Sequence, residues 1–67
     1  MRTIYDPAMD ALSVRLTEAD ILESEEVRPG LVVDLDKNGR IVGFEILDAR
    51  RTLSEGWDSG RDRPPAA

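Results

Sequence analysis

Three turn-forming pairs, Asp6-Pro7, Pro29-Gly30 and Asn38-Gly39, divide the chain into short segments in which apolar and polar residues alternate. Alternation of this kind suits half-buried strands, and only the stretch Leu47–Leu53 fits a helix better. The predicted fold class is therefore α+β, mostly β: a small antiparallel meander of four to five strands with a short C-terminal helix and a disordered tail. One β-rich domain is expected over residues 1–53, followed by a flexible C-terminal tail over 54–67.

The first strand spans Arg2–Tyr5 and ends at Asp6-Pro7, a pair that favours turn initiation, with Asp10 placed to cap or close the turn. Ala11–Leu16 reads as a second strand with Leu12, Val14 and Leu16 inward, although the spacing of Met9, Leu12 and Leu16 also suits a helix. Thr17–Asp20 is a polar connection. Ile21–Arg28 carries Glu23, Glu25 and Glu26, which lower its strand propensity and mark it as an edge whose charges resist further pairing. Leu31–Leu35 and Arg40–Ile46 flank Asn38-Gly39, both of which tolerate the positive φ of a tight hairpin turn. Leu47–Leu53 suits a short helix with Asp48 near its start and Arg50 and Arg51 toward its end, as the helix dipole favours. About two turns of helix need packing to persist. The residues from Ser54 on are polar and rich in Gly and Pro, with Trp57 either packed back on the domain or anchoring a partner.

Residues 34–45, DLDKNGRIVGFE, match the calcium loop of an EF-hand at Asp34, Asp36, Asn38, Gly39, Ile41 and Glu45. The flanks decide against that chemistry, because an EF-hand needs a helix on either side and both flanks here read as strands. Keeping Leu31, Val33 and Leu35 on one face with Val42, Phe44 and Ile46 requires an even number of loop residues; a three-residue loop does not supply it, a four-residue loop does, and so does a two-residue Asn38-Gly39 turn. The two-residue register pairs Leu35 with Val42, Val33 with Phe44 and Val32 with Glu45, and leaves Glu45 about 13 Å along the ladder from Asp36. Calcium ligands sit about 2.3–2.6 Å from the ion, so Glu45 does not close a cage with Asp36. Asp34 and Asp36 are then expected to keep the outer face soluble. Leu22, Val32 and Ile41 fall on that same face, to be covered by the short helix through Leu47 and Leu53 or by another protein chain.

With neither Cys nor His in 67 residues, disulfides and the usual zinc sites are excluded, and oligomerisation is the remaining support for so small a core. The net charge is −5 and the basic residues are scattered, so direct nucleic acid binding is not expected, whereas a basic protein partner is compatible. No apolar run is long enough for a membrane span, and a cytoplasmic location is the default. Ser13, Ser24, Ser54 and Ser59 have no histidine to activate them. The carboxylate pairs Asp6 with Asp10 and Asp34 with Asp36 are read as turn and strand residues rather than as acid–base or magnesium sites. The expectation is thus no catalytic, cofactor-binding or metal residue. The alternatives kept open are weak Ca²⁺ or Mg²⁺ association with Asp34, Asp36 and Asn38, and a carboxylate-based enzyme.

The segments YDPAMDALSVRL (Tyr5–Leu16) and ESEEVRPGLVVDLDKNGRIVGFEILDA (Glu23–Ala49) carry a resemblance. Tyr-Asp at the first turn, Asp-x-Leu-x-x-x-Leu after it, a Glu-rich stretch, an Asp-x-x-Gly hairpin and a closing Glu-Ile-Leu-Asp-Ala stand in that order. In this the chain resembles DUF2283, a family of small bacterial and archaeal domains of unknown function. The resemblance covers about residues 1–53 and implies a compact β-rich domain with no established chemistry. Some relatives look like partners of small toxins, which implies an antitoxin-like protein; the small core, half-apolar outer face, acidic balance and Trp57 point on their own to a protein-interaction module, expected as a homodimer that binds a small basic protein.

Overall fold

The computed structural model describes residues 1–54, 56 and 57. Most of the expected tail therefore lies outside the described residues. Five strands, β1 (Arg2–Asp6), β2 (Ala11–Arg15), β3 (Glu23–Arg28), β4 (Leu31–Leu35) and β5 (Ile41–Ile46), form one antiparallel sheet, followed by a helix, α1 (Ala49–Thr52). The mostly-β fold class holds.

The strand order is β1-β2-β5-β4-β3, so it departs from a simple meander at one point: β2 has β5, not β3, as its neighbour. The composition of the strands explains the exchange. The apolar strand β5 takes the centre, while the glutamate-bearing β3 goes to the edge, where its carboxylates stay hydrated. Side chains directly opposite each other share a face, so the register stacks Tyr5, Leu12, Ile46 and Leu31 in one row and Thr3, Val14, Phe44 and Val33 in the next. The residues from Leu16 to Leu22 carry the chain across the hairpin end to the far edge, tied at one side by Leu16 N–H to the Val42 carbonyl (2.8 Å) and at the other by Leu22 N–H to the Leu35 carbonyl (2.8 Å).

At the opposite end of the sheet the β1–β2 turn, the β3–β4 turn and the end of β5 meet α1. Leu47 N–H still donates to the Gly30 carbonyl (2.8 Å), which prolongs the ladder, and Asp48 then turns the chain at φ 50°. This is why the helix starts at Ala49 and is shorter than the expected Leu47–Leu53. Ala49 is fully buried and its N–H donates to the Asp10 carbonyl (2.9 Å). The anchoring places α1 at the turn end, and Leu47 stays exposed rather than covering the outer face. Trp57 packs edge-on against Tyr5, with ring centroids 5.1 Å apart and the planes at 75°, so the packed-back alternative for this residue is the one seen.

Candidate functional site

The side chains of greatest chemical interest lie where β4 and β5 meet, and a departure from regular pairing puts them there. Asp36 N–H donates to the Arg40 carbonyl (2.9 Å) and Gly39 N–H to the Asp36 carbonyl (3.0 Å), so the hairpin loop is the three-residue Lys37–Gly39, with Gly39 at φ 78°. The expected two-residue turn is thereby corrected. An odd loop would invert the faces of β5, yet Val33 still opposes Phe44 and Val32 still opposes Glu45. A bulge restores the parity: Leu35 faces Ile41, Asp34 faces Gly43, and Val42 is the extra residue between them. The loop thus takes the form of a tight turn closed by a left-handed glycine, and the bulge cancels its odd count.

Three consequences follow from the bulge. Ile41 moves to the face of Leu35, away from the side on which alternation places it, and is 55% exposed. The Val42 carbonyl, out of the β4 ladder, accepts from both Leu16 N–H and Thr17 N–H (2.8 and 3.2 Å). The Val42 side chain, 1% exposed, lines a cleft of about 230 Å³ together with Arg15, Ile21, Asp34, Gly43 and Glu45. Gly43 is required beside it, because a Cβ there would lie 2.3 Å from the Val14 carbonyl oxygen of β2. Only a residue without a side chain lets β2 and β5 approach this closely.

Asp34 is 4% exposed, so it does not solubilise an outer face as expected; Ser24 Oγ donates to its Oδ1 (2.7 Å) from the neighbouring strand. Glu45 lies diagonally across the ladder from it. Burial, then a hydrogen bond to Asp34 and the charge of Asp34, push the Glu45 carboxyl up from 4.5 to about 7. Glu45 therefore exchanges its proton near neutrality beside a buried carboxylate. Above the cleft, Arg15 holds the crossing segment by donating to the Thr17 and Ala19 carbonyls (3.0 and 2.6 Å).

The carboxylates of Asp6, Asp10 and Asp36 are employed in turns. Asp36 Oδ1 accepts from Asn38 N–H (2.8 Å) and Arg40 N–H (2.9 Å), bonds that hold its carboxyl below the ordinary range. Asp34, Asp36 and Asn38 consequently do not converge: Asp34 is directed to Ser24 and Glu45, while Asp36 closes the hairpin. Among the described residues no three acidic side chains gather as a metal site would require. Asp6 Oδ1 accepts from Ala8 and Met9 N–H (3.0 and 3.3 Å) in the first turn. Asp10, at φ 52°, accepts from Tyr5 Oη–H (2.7 Å) and from Arg50 N–H (3.2 Å), joining the turn to α1, and the Tyr5 bond chiefly holds its carboxyl below the ordinary range. Asp6 and Asp10 thus serve separate purposes. The pair that does interact, Asp34 with Glu45, escaped the sequence reading, although their diagonal placement on one face was a usable signal.

The family profile described as protein of unknown function (DUF2283) matches residues 2–50, which takes in all five strands and the start of α1. The chain belongs to the DUF2283 family. The match includes Asp10, Asp34, Val42 and Glu45, so the cleft and the helix anchor lie within the DUF2283 region, and Trp57 lies beyond it. No curated protein and no solved structure matches the chain. Among the described residues, no helix is long and apolar enough to cross a membrane.

Proposed function

We propose that this protein is an interaction module that works as a homodimer and presents its sheet to a second protein, in an antitoxin-like manner toward a small basic partner. The observation that carries this reading is the missing second layer. Domains hold together by packing one layer of secondary structure on another. Here a five-stranded sheet is backed by four residues of helix, and Val42 and Ala49 are the only buried apolar residues among those described. Val14, Val33 and Phe44 remain half-buried in the centre of the sheet, and Ile41, on the same face, is exposed. A face of this kind is stabilised by a further protein surface. The exposed glutamates of β3 and the net charge of −5 favour a basic partner. A cytoplasmic location accompanies the reading and agrees with a chain that has no cysteine to pair.

Sedimentation equilibrium tests the self-association. The expected mass is twice the 7.5 kDa of one chain, with a melting temperature that rises with protein concentration. A mass of one chain and a concentration-independent melt would end the reading. The partner is tested at the adjacent genes: a small basic protein encoded there and binding this one more weakly as salt is raised supports the reading, and neighbours that encode none, or one that does not bind, count against it.

A further inference from the structure

Resting on the homodimer reading, we infer that the two copies meet through β1, edge to edge and antiparallel about Ile4, to make one continuous ten-stranded sheet. The sheet has two edges, and they differ. β3 carries the exposed carboxylates of Glu23, Glu25 and Glu26 and breaks its register between Glu26 and Arg28, features that discourage another strand. β1 has neither protection. Its ladder with β2 runs without a shift from Arg2 to Asp6, its outer backbone edge has no neighbour among the described residues, and Ile4 is 61% exposed at its midpoint.

The sequence of β1, Arg-Thr-Ile-Tyr-Asp, is complementary to itself when reversed. A two-fold axis at Ile4 places Arg2 opposite the second copy's Asp6, Thr3 opposite Tyr5 and Ile4 opposite Ile4, so both ends of the ladder form opposite-charge pairs. Shifting the register by one or two residues loses both pairs. Arg2 is free to swing across, since its present contact is an exposed 3.4 Å pair with Glu18. Asp6 keeps its turn through Oδ1. Pro7, with no N–H to donate, ends the ladder directly after Asp6. Joined in this way, the two sheets present a single doubled face to a partner. A five-residue edge is a small contact, so the dimer is a reversible one.

The chain has no cysteine, so Ile4→Cys introduces a single thiol. Opposed residues of an antiparallel pair lie about 4.5–5.5 Å apart at Cα, within the range of a disulfide. Mild oxidation is expected to crosslink Ile4→Cys to a covalent dimer at least about tenfold faster than Leu22→Cys, an exposed residue beside the opposite edge. Arg2→Glu, which turns both end pairs repulsive, is expected to weaken the dimer about tenfold. A wild-type dimer in which Leu22→Cys crosslinks faster, or in which Arg2→Glu has no effect, overturns the β1 interface and leaves the homodimer standing. A wild-type monomer overturns both.

Discussion

Replacing Glu45 with glutamine removes a charge that the fold resists, while the amide N–H₂ can still donate to Asp34. The carboxyl of Glu45 rises from 4.5 to about 7 on folding. An acid whose pKa is raised in the folded state binds its proton more tightly there, so it destabilises the fold once that proton is lost from the unfolded chain. Below about pH 4.5 both states hold the proton and the penalty is absent; it grows through the window between the two values and is complete above about pH 7. The full shift corresponds to about 3 kcal/mol, which solvent access to the partly exposed side chain reduces to roughly 1–2 kcal/mol. Glu45→Gln is therefore expected to be more stable than the parent by about 1–2 kcal/mol near pH 8, and by roughly a quarter of that near pH 5. Urea unfolding followed by circular dichroism, at equal protein concentration and at both pH values, measures the difference from the midpoints and slopes. The same gain at both pH values, or a parent protein whose stability does not fall from pH 5 to pH 8, would refute the proton linkage.

Gly43→Ala forces a Cβ against the Val14 carbonyl and is expected to cost about 3 kcal/mol or to prevent folding, as thermal denaturation would show. Tyr5→Phe removes the main bond that holds the Asp10 carboxyl down and is expected to lower the melting temperature by about 5 °C near neutral pH. Because a lowered carboxyl pKa stabilises the fold above its ordinary value of 3.8, that loss should shrink as the pH falls below it; an undiminished loss in acid would contradict the assignment. Calcium at about 5 mM is expected to leave the melting temperature and the amide shifts of the hairpin unchanged, since the carboxylates of Asp34 and Asp36 are turned to different partners.

What was legible in the sequence was local. Pro29-Gly30 and Asn38-Gly39 announce turns because their backbone needs are intrinsic, and the pairing of Val33 with Phe44 follows from alternation. The length of the loop was not legible, since the two-residue turn and the three-residue turn with a bulge leave the same residues paired beyond Val42. The choice depends on Leu16 and Thr17, more than twenty residues away, whose N–H groups capture the displaced carbonyl. The place of β5 beside β2 was hidden for a similar reason, as nothing near Ile41–Ile46 in sequence reports on Leu12 or Val14. Asp34 looked like a surface acid because its solvent is removed by strands remote in sequence. The Asp34–Glu45 pair needed only the register to be found, and the register was largely correct.

The coupling between the Lys37–Gly39 loop and the Val42 bulge restricts how this protein can change by insertion or deletion. A one-residue deletion between Asp36 and Arg40 keeps Val33 opposite Phe44 in either of two ways: the loop shortens to two residues with the bulge kept, or the loop stays at three and the bulge is given up, which withdraws the carbonyl that holds Leu16 and Thr17. A length change in the hairpin is therefore felt more than twenty residues earlier in the chain, at Leu16 and Thr17, whenever it is the bulge that absorbs it.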